Sequence, residues 1–393
     1  MKKQLCVLFT SLLILSCSTE RPAETKEEHT VVHPVVRELQ QKYAPDKRTA
    51  IFTISLIDAG KYLIAKGEVD NADAKRELIE KLNAEGKEVH DSVDVLPAEN
   101  LGAKTWGIIT VSVANMRSEP RESAELATQA LMGTLVKIWK RKGGYLYIQT
   151  PDKYLGWADA DQLQRVTEQE VREWNESKKV FVTSLFEIVR QQPSQNSYPV
   201  CDMTGGGVLK YLGMQNGWIK VGIADGRTGF LPSSSAIDYN DWGTKVKPVP
   251  DNIEKIGKFM MGVPYLWGGT SVKGVDCSGF TKTVFLLNGM MLNRDANQQA
   301  EQGVEVEPGK NFENLKKGDL LFFGQKAENG KPERIVHVGI YLGNKEYIHS
   351  SGRVHISSFD PASPLFNEYN FNRFVKAKRV IASVPQVAEV KTK

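Results

Sequence analysis

The segment Val275-Asp276-Cys277-Ser278-Gly279-Phe280, running into Thr281-Lys282-Thr283-Val284-Phe285-Leu286-Leu287, constrains this chain more than any other. It reads as a tight turn that enters a helix. Asp276 is a favoured capping residue, and Phe280, Val284, Phe285 and Leu287 supply an apolar face at helical spacing. Cys277 then falls in the first turn, where unpaired N–H groups and the helix dipole favour a thiolate. The dipole contributes about 0.3–1 kcal/mol, and one pKa unit is about 1.4 kcal/mol. It therefore lowers a thiol pKa of about 8.5 by around one unit. Ionisation at neutral pH needs a cationic neighbour as well, usually histidine. The bland alternative, a small buried hydrophobe, stays open on this segment alone.

The N-terminus reads as a targeting segment. Met1-Lys2-Lys3 is basic, Leu5 to Leu15 is apolar, and Ile14-Leu15-Ser16-Cys17 has the form of a lipoprotein cleavage box, making Cys17 the lipidation site. The apolar run is about eleven residues, short of the about twenty that span a bilayer. Residues 1–17 are expected to be the signal peptide and 18–34 a flexible tether, with the membrane reached through lipid. The net charge of +4 comes from 51 basic and 47 acidic residues, too balanced for a nucleic-acid protein. Of four cysteines, Cys6 leaves with the signal and Cys17 takes lipid. Cys201 and Cys277 remain, so no disulfide framework is expected, and Cys201 reads as a buried strand residue.

Residues 35–104 alternate helix and strand patterns and predict a small α/β unit. Two all-β modules follow, at 105–166 and 178–241. They share a recurring pattern: Gly144-Tyr145-Leu146-Tyr147-Ile148 with Gly156-Trp157, against Gly217-Trp218-Ile219-Lys220-Val221 with Gly229-Phe230. A recurrence about seventy residues apart indicates duplication, and the pattern resembles bacterial SH3-type barrels. Gly205-Gly206-Gly207 lacks the Gly-Lys-Ser/Thr of a phosphate loop and predicts a mobile loop. A Pro-containing linker, Lys247-Pro248-Val249-Pro250, leads to the last domain, expected over 250–385.

Two of the six histidines, His337 and His349, lie on consecutive short apolar strands. A two-residue Gly343-Asn344 turn would put the imidazoles on opposite faces. A three-residue turn, or a bulge after Asn344, opposes Gly339 to His349 and makes the histidines diagonal neighbours about 7–8 Å apart at the backbone. The second register is expected. It lets His337 act as a base and His349 orient it.

Taken in order, Tyr265-Leu266-Trp267-Gly268-Gly269, Asp276-Cys277-Ser278-Gly279-Phe280, Gly318-Asp319-Leu320-Leu321-Phe322-Phe323, His337-Val338-Gly339-Ile340-Tyr341 and Ile348-His349-Ser350 resemble the NlpC-type cell-wall peptidases, which are papain-like cysteine peptidases. The resemblance implies a multidomain chain: the α/β unit, two small SH3-like β-barrels and an α+β papain-like catalytic domain. It makes Cys277 the nucleophile, His337 the general base and His349 the third member, with the Tyr265 hydroxyl and the Cys277 amide as oxyanion donors. No cofactor or metal is implied. With its two SH3-type modules, the chain is most similar to the γ-D-glutamyl-L-diamino acid endopeptidases. That branch implies peptidoglycan stem peptides as substrate and a free L-Ala amine gripped by Asp276, Ser278, Glu125 and Tyr154. A monomer in the cell envelope is expected. The rivals are a non-catalytic wall-binding protein, a Cys277–His337–His349 metal site, and an amidase or acyltransferase on the same fold. Relatives often carry Ser after Arg-Asp, whereas this chain has Arg294-Asp295-Ala296.

Overall fold

The computed structural model describes residues 29–328 and 330–381. Cys17 and the expected signal peptide lie outside the described residues. The tether expected over 18–34 is corrected at its end: His29–Val31 is a strand paired with Leu56, Ile57 and Asp58, and a helix starts at Pro34.

The first unit is a four-stranded sheet in the order His29–Val31, Phe52–Asp58, Tyr62–Val69, Glu88–Val95. The last pair is parallel and so needs a crossover, which the helix Ala72–Asn83 provides. Asn71 caps that helix by accepting from the Asp73 amide at 2.8 Å. Leu39, Leu78 and Leu82 of the two helices close the core against Leu56, Ala65 and Val69.

Two seven-stranded barrels follow, with every pairing antiparallel. Their duplication extends to the register. Gly156 stands opposite Ile148 in the first barrel, and Gly229 stands opposite Val221 in the second. Period-two alternation turns Leu146 and Ile148 inward in one, and Ile219 and Val221 inward in the other. The helix Glu168–Glu176 joins them, opened by a reciprocal Thr167–Glu170 capping box.

Two expectations change here. Cys201 is in the strand Pro199–Thr204 as expected, but it is half-buried rather than buried. Gly205-Gly206-Gly207 is a packed seam. A side chain at Gly206 (φ +94°) would come within 2.7 Å of Leu286 Cδ2 and 2.8 Å of Leu131 Cδ1. The glycines are there because the first barrel, the second barrel and the helix Cys277–Leu287 meet at this point.

The last domain is α+β. Its six-stranded antiparallel sheet runs Val304–Val306, Phe374–Arg379, Leu320–Gln325, Arg334–Gly343, Glu346–Ser351, Arg353–Ser358. Alternation splits its residues between two cores. Leu320, Phe322, Val338, Ile340 and Ile348 pack with Phe280 and Val284 of the helix Cys277–Leu287. Leu321, Phe323, Tyr341, Tyr347 and Phe359 form the other core. Among the described residues, no helix is long and apolar enough to cross a membrane.

Candidate active site

Asp276 caps the helix Cys277–Leu287 as expected: its Oδ1 accepts from the Gly279 amide at 2.7 Å, and its Oδ2 from the Gly268 amide at 3.0 Å. Position 279 must be glycine, because a Cβ there would lie 1.9 Å from the Gly269 carbonyl oxygen. The turn and the helix start are thereby locked together, with Cys277 as the first helical residue and 8 % exposed.

The thiol is directed by backbone N–H groups of Val338 and Ser278. Val338 follows His337, so the histidine-bearing strand runs against the helix start. The surroundings of the thiol oppose the thiolate that the helix start favours. Burial, and then the Asp276 carboxylate, push the Cys277 thiol up to about 12. These outweigh the one-unit pull of the dipole. His337 is displaced the other way, to about 3, by burial and then by Arg373 and His355. Both displacements favour the neutral forms, thiol and imidazole.

The hairpin has the register that brings the histidines to one face. Ile340 pairs with Ile348, which sets Gly339 opposite His349. The bulge, however, lies between Tyr341 and Gly343, before the turn. The turn residues are Asn344 (φ 50°) and Lys345 (φ 64°), both left-handed. His337 Nε2 meets His349 Nδ1 at 2.8 Å, and His349 Nε2 meets Ser357 Oγ at 3.0 Å. All three residues are buried.

Ser357 and His355 were not anticipated. His355 pairs across the sheet from His349, with ring centroids 4.4 Å apart. The legible signal was Gly352 between two short alternating strands, a second hairpin that reflects residue 349 onto 355.

The other predicted residues fall around this centre. Tyr265 is half-buried, and its hydroxyl pKa is raised by burial and then by Cys277 and Asp276. Ser278 Oγ lies 3.3 Å from Asp276 Oδ1. Glu125 is exposed on the first barrel and accepts from Trp267 Nε1 at 2.7 Å. Tyr154 is buried and donates its hydroxyl to Asp295 Oδ2 at 3.0 Å.

Arg294 is the member sequence reasoning left without a role. It is 1 % exposed and reaches Asp276 at 2.6 and 3.2 Å, Ser278 Oγ at 3.0 Å and Thr128 Oγ1 of the first barrel at 2.8 Å. Its work is to neutralise Asp276.

The pH dependence of stability follows from His337. Its folded pKa lies below its ordinary value of 6.5, so between about 3 and 6.5 the unfolded chain binds the extra proton. The associated stability is fully present above pH 6.5 and is lost as pH falls towards 3; His349 shifts in the same direction, chiefly by burial. Thermal melts should show the wild type losing stability over this window more steeply than His337→Gln. Parallel curves would contradict the assignment.

A buried thiol at a helix N-terminus, a hydrogen-bonded histidine pair and an α+β core define a papain-like thiol hydrolase. Comparison with known proteins agrees. The NlpC/P60 family matches residues 262–379, the bacterial dipeptidyl-peptidase Sh3 domain matches 116–163, and the bacterial SH3 domain matches 184–237. A gamma-D-glutamyl-L-lysine dipeptidyl-peptidase of Bacillus cereus is 31% identical over 58% of this chain and 67% of its own. One of Bacillus subtilis is 29% identical over 57% and 72%. The crystal structure of an NlpC/P60 family protein from Bacillus cereus superposes with a TM-score of 0.61 at 25% identity, covering 70% of this chain and 99% of that one. The chain belongs to the NlpC/P60 family of cysteine peptidases.

Proposed function

We propose that this protein hydrolyses the γ-D-glutamyl-L-diamino acid bond of peptidoglycan stem peptides, releasing L-Ala-γ-D-Glu from fragments whose L-Ala amine is free. The observation that carries this reading is the first barrel's position over the site, with Glu125 hydrogen-bonded to Trp267 beside the Cys277 turn. The relatives named for dipeptidyl-peptidase activity support it.

In this mechanism His337 Nε2–H donates to His349 Nδ1, and His349 Nε2–H donates to Ser357 Oγ. That tautomer leaves His337 Nδ1 free as the base. Cys277 Sγ attacks the γ-carbonyl as its proton passes to His337, so no standing thiolate is required. The tetrahedral oxyanion is met by the Cys277 amide and the Tyr265 hydroxyl. His337 then protonates the leaving nitrogen, and the thioester is hydrolysed by water that His337 deprotonates.

Asp276 and Ser278 form the floor of the amine site in this reading, and Tyr154 braces it. Asp276 already accepts from two amides and Arg294, which leaves Glu125 as the counter-charge for the substrate ammonium. A capped L-Ala carries no ammonium and would leave the Glu125 carboxylate covered without its counter-charge, so peptides capped at L-Ala are rejected. We place the protein in the cell envelope, anchored by lipid on Cys17 and acting as a monomer.

Mass spectrometry of L-Ala-γ-D-Glu-diaminopimelate, its L-lysine counterpart and their N-acetylated forms tests this. Only the free-amine peptides should be cut, and Glu125→Gln should raise their KM about tenfold with kcat little changed. Equal cleavage of acetylated peptides would remove the amine gate. No cleavage of any peptide would favour a wall-binding role.

A further inference from the structure

The N-terminal unit reaches the active-site shell. Its turn at Asp46 to Arg48 lies against the catalytic-domain segment Asp295 to Gln298, about 250 residues away in the chain. Arg48 Nη1 donates to Asp295 Oδ2 at 2.6 Å and to Asn297 Oδ1 at 3.0 Å. Its Nε and Nη2 grip Asp46 at 2.8 and 2.7 Å, and Asp46 accepts from Gln298 Nε2 at 2.7 Å. The Arg48 carbonyl accepts from the Leu155 amide at 2.8 Å, next to Tyr154. Arg48 thus holds Asp295, the acceptor of the Tyr154 hydroxyl, directly, and its carbonyl holds the residue next to Tyr154.

Charges alternate along one line: Asp276, Arg294, Asp295, Arg48, Asp46. Asp295 sits between two guanidiniums, 2.6 Å from Arg48 and 3.8 Å from Arg294. While Arg48 satisfies Asp295, Arg294 stays on Asp276. Without Arg48, Asp295 is a half-buried carboxylate whose nearest cation is Arg294, and it draws that group away from Asp276. We propose that Arg48 is a positioning residue of the active site: by holding Asp295 it fixes Tyr154 and keeps Arg294 on Asp276, beside Cys277. The small α/β unit is then part of the catalytic machinery, acting through the first barrel and the catalytic domain at once. A planar five-donor fork is needed, since one ammonium cannot hold Asp46, Asp295 and Asn297 together.

The kinetic part of the test rests on the proposed peptidase reading; a second part does not. In a Cys201→Ser background, iodoacetamide alkylation of Cys277 is followed by peptide mass spectrometry across pH for wild type, Arg48→Ala and Arg48→Lys. Loss of Arg294 from Asp276 exposes the thiol to an uncompensated carboxylate, so Arg48→Ala should slow alkylation at pH 7 about tenfold and move its profile to higher pH. Arg48→Lys, which keeps the charge and a contact to Asp295, should fall between and serves if the alanine variant does not fold. On the free-amine tripeptide, kcat/KM should fall about tenfold in Arg48→Ala. A wild-type alkylation profile in either folded variant overturns the proposal, whatever the peptide result. Normal alkylation of the wild type with no peptide cleavage would instead sink the peptidase reading and leave Arg48 to be judged by alkylation.

Discussion

Cys277→Ala is expected to reduce turnover of the free-amine stem peptide by about 10⁵-fold, to the background of the assay. The proposed nucleophile has no understudy among the described residues: the other cysteine, Cys201, is in the second barrel with its thiol pushed up to about 11 by burial. The fold should survive, because the substitution removes one sulfur and leaves the Asp276 cap on Gly279 intact. A loss of about 1 kcal/mol or less is expected. His337→Ala should cost nearly as much activity, and the double variant should be no worse than Cys277→Ala, because base and nucleophile act as a unit. Rates measured by mass spectrometry, with melting curves as the folding control, check this. Residual activity of more than about one per cent in folded Cys277→Ala would exclude thiol catalysis.

Arg294→Met should carry the largest stability cost of the substitutions considered. Removing one partner of a buried ion pair leaves the other charge uncompensated, at about 3–5 kcal/mol. Asp276 is 7 % exposed, and Arg294 is its only side-chain cation within hydrogen-bonding distance among the described residues. The same substitution also severs the bond to Thr128, a link between first barrel and catalytic domain. The melting temperature should fall by about 10 °C. Adding Asp276→Asn should recover part of that loss, since the unpaired charge goes with it. A drop of less than about 2 °C would show that the pair contributes little. Arg294→Lys should be intermediate, one ammonium being unable to span Asp276, Ser278 and Thr128.

Much of the architecture was legible in short spacings. The Asp276 cap and the helix behind Cys277 depend on residues within a few positions of one another, and the recurrence of Gly156 and Gly229 is a short pattern met twice. The histidine register was legible as parity, because a strand has period two and only one class of turn sets both imidazoles on one face. Its means was not. Asn344 and Lys345 both adopt left-handed positions, and the compensating bulge lies before the turn rather than after Asn344.

The chemistry of the Cys277 turn, its helix and the two-histidine hairpin was therefore written locally, in caps, breakers and alternation. What the tertiary structure alone decided were the pairings across the chain: Arg294 on Asp276 and Thr128, Trp267 on Glu125, Arg48 on Asp295, and the glycine seam at 205–207. No local period encodes these contacts, whether 18 positions apart, as for Arg294 and Asp276, or 247, as for Arg48 and Asp295. The protonation state of the thiol was likewise beyond the sequence, because desolvation sums over every group that packs around Cys277 once the helix, sheet and first barrel have closed.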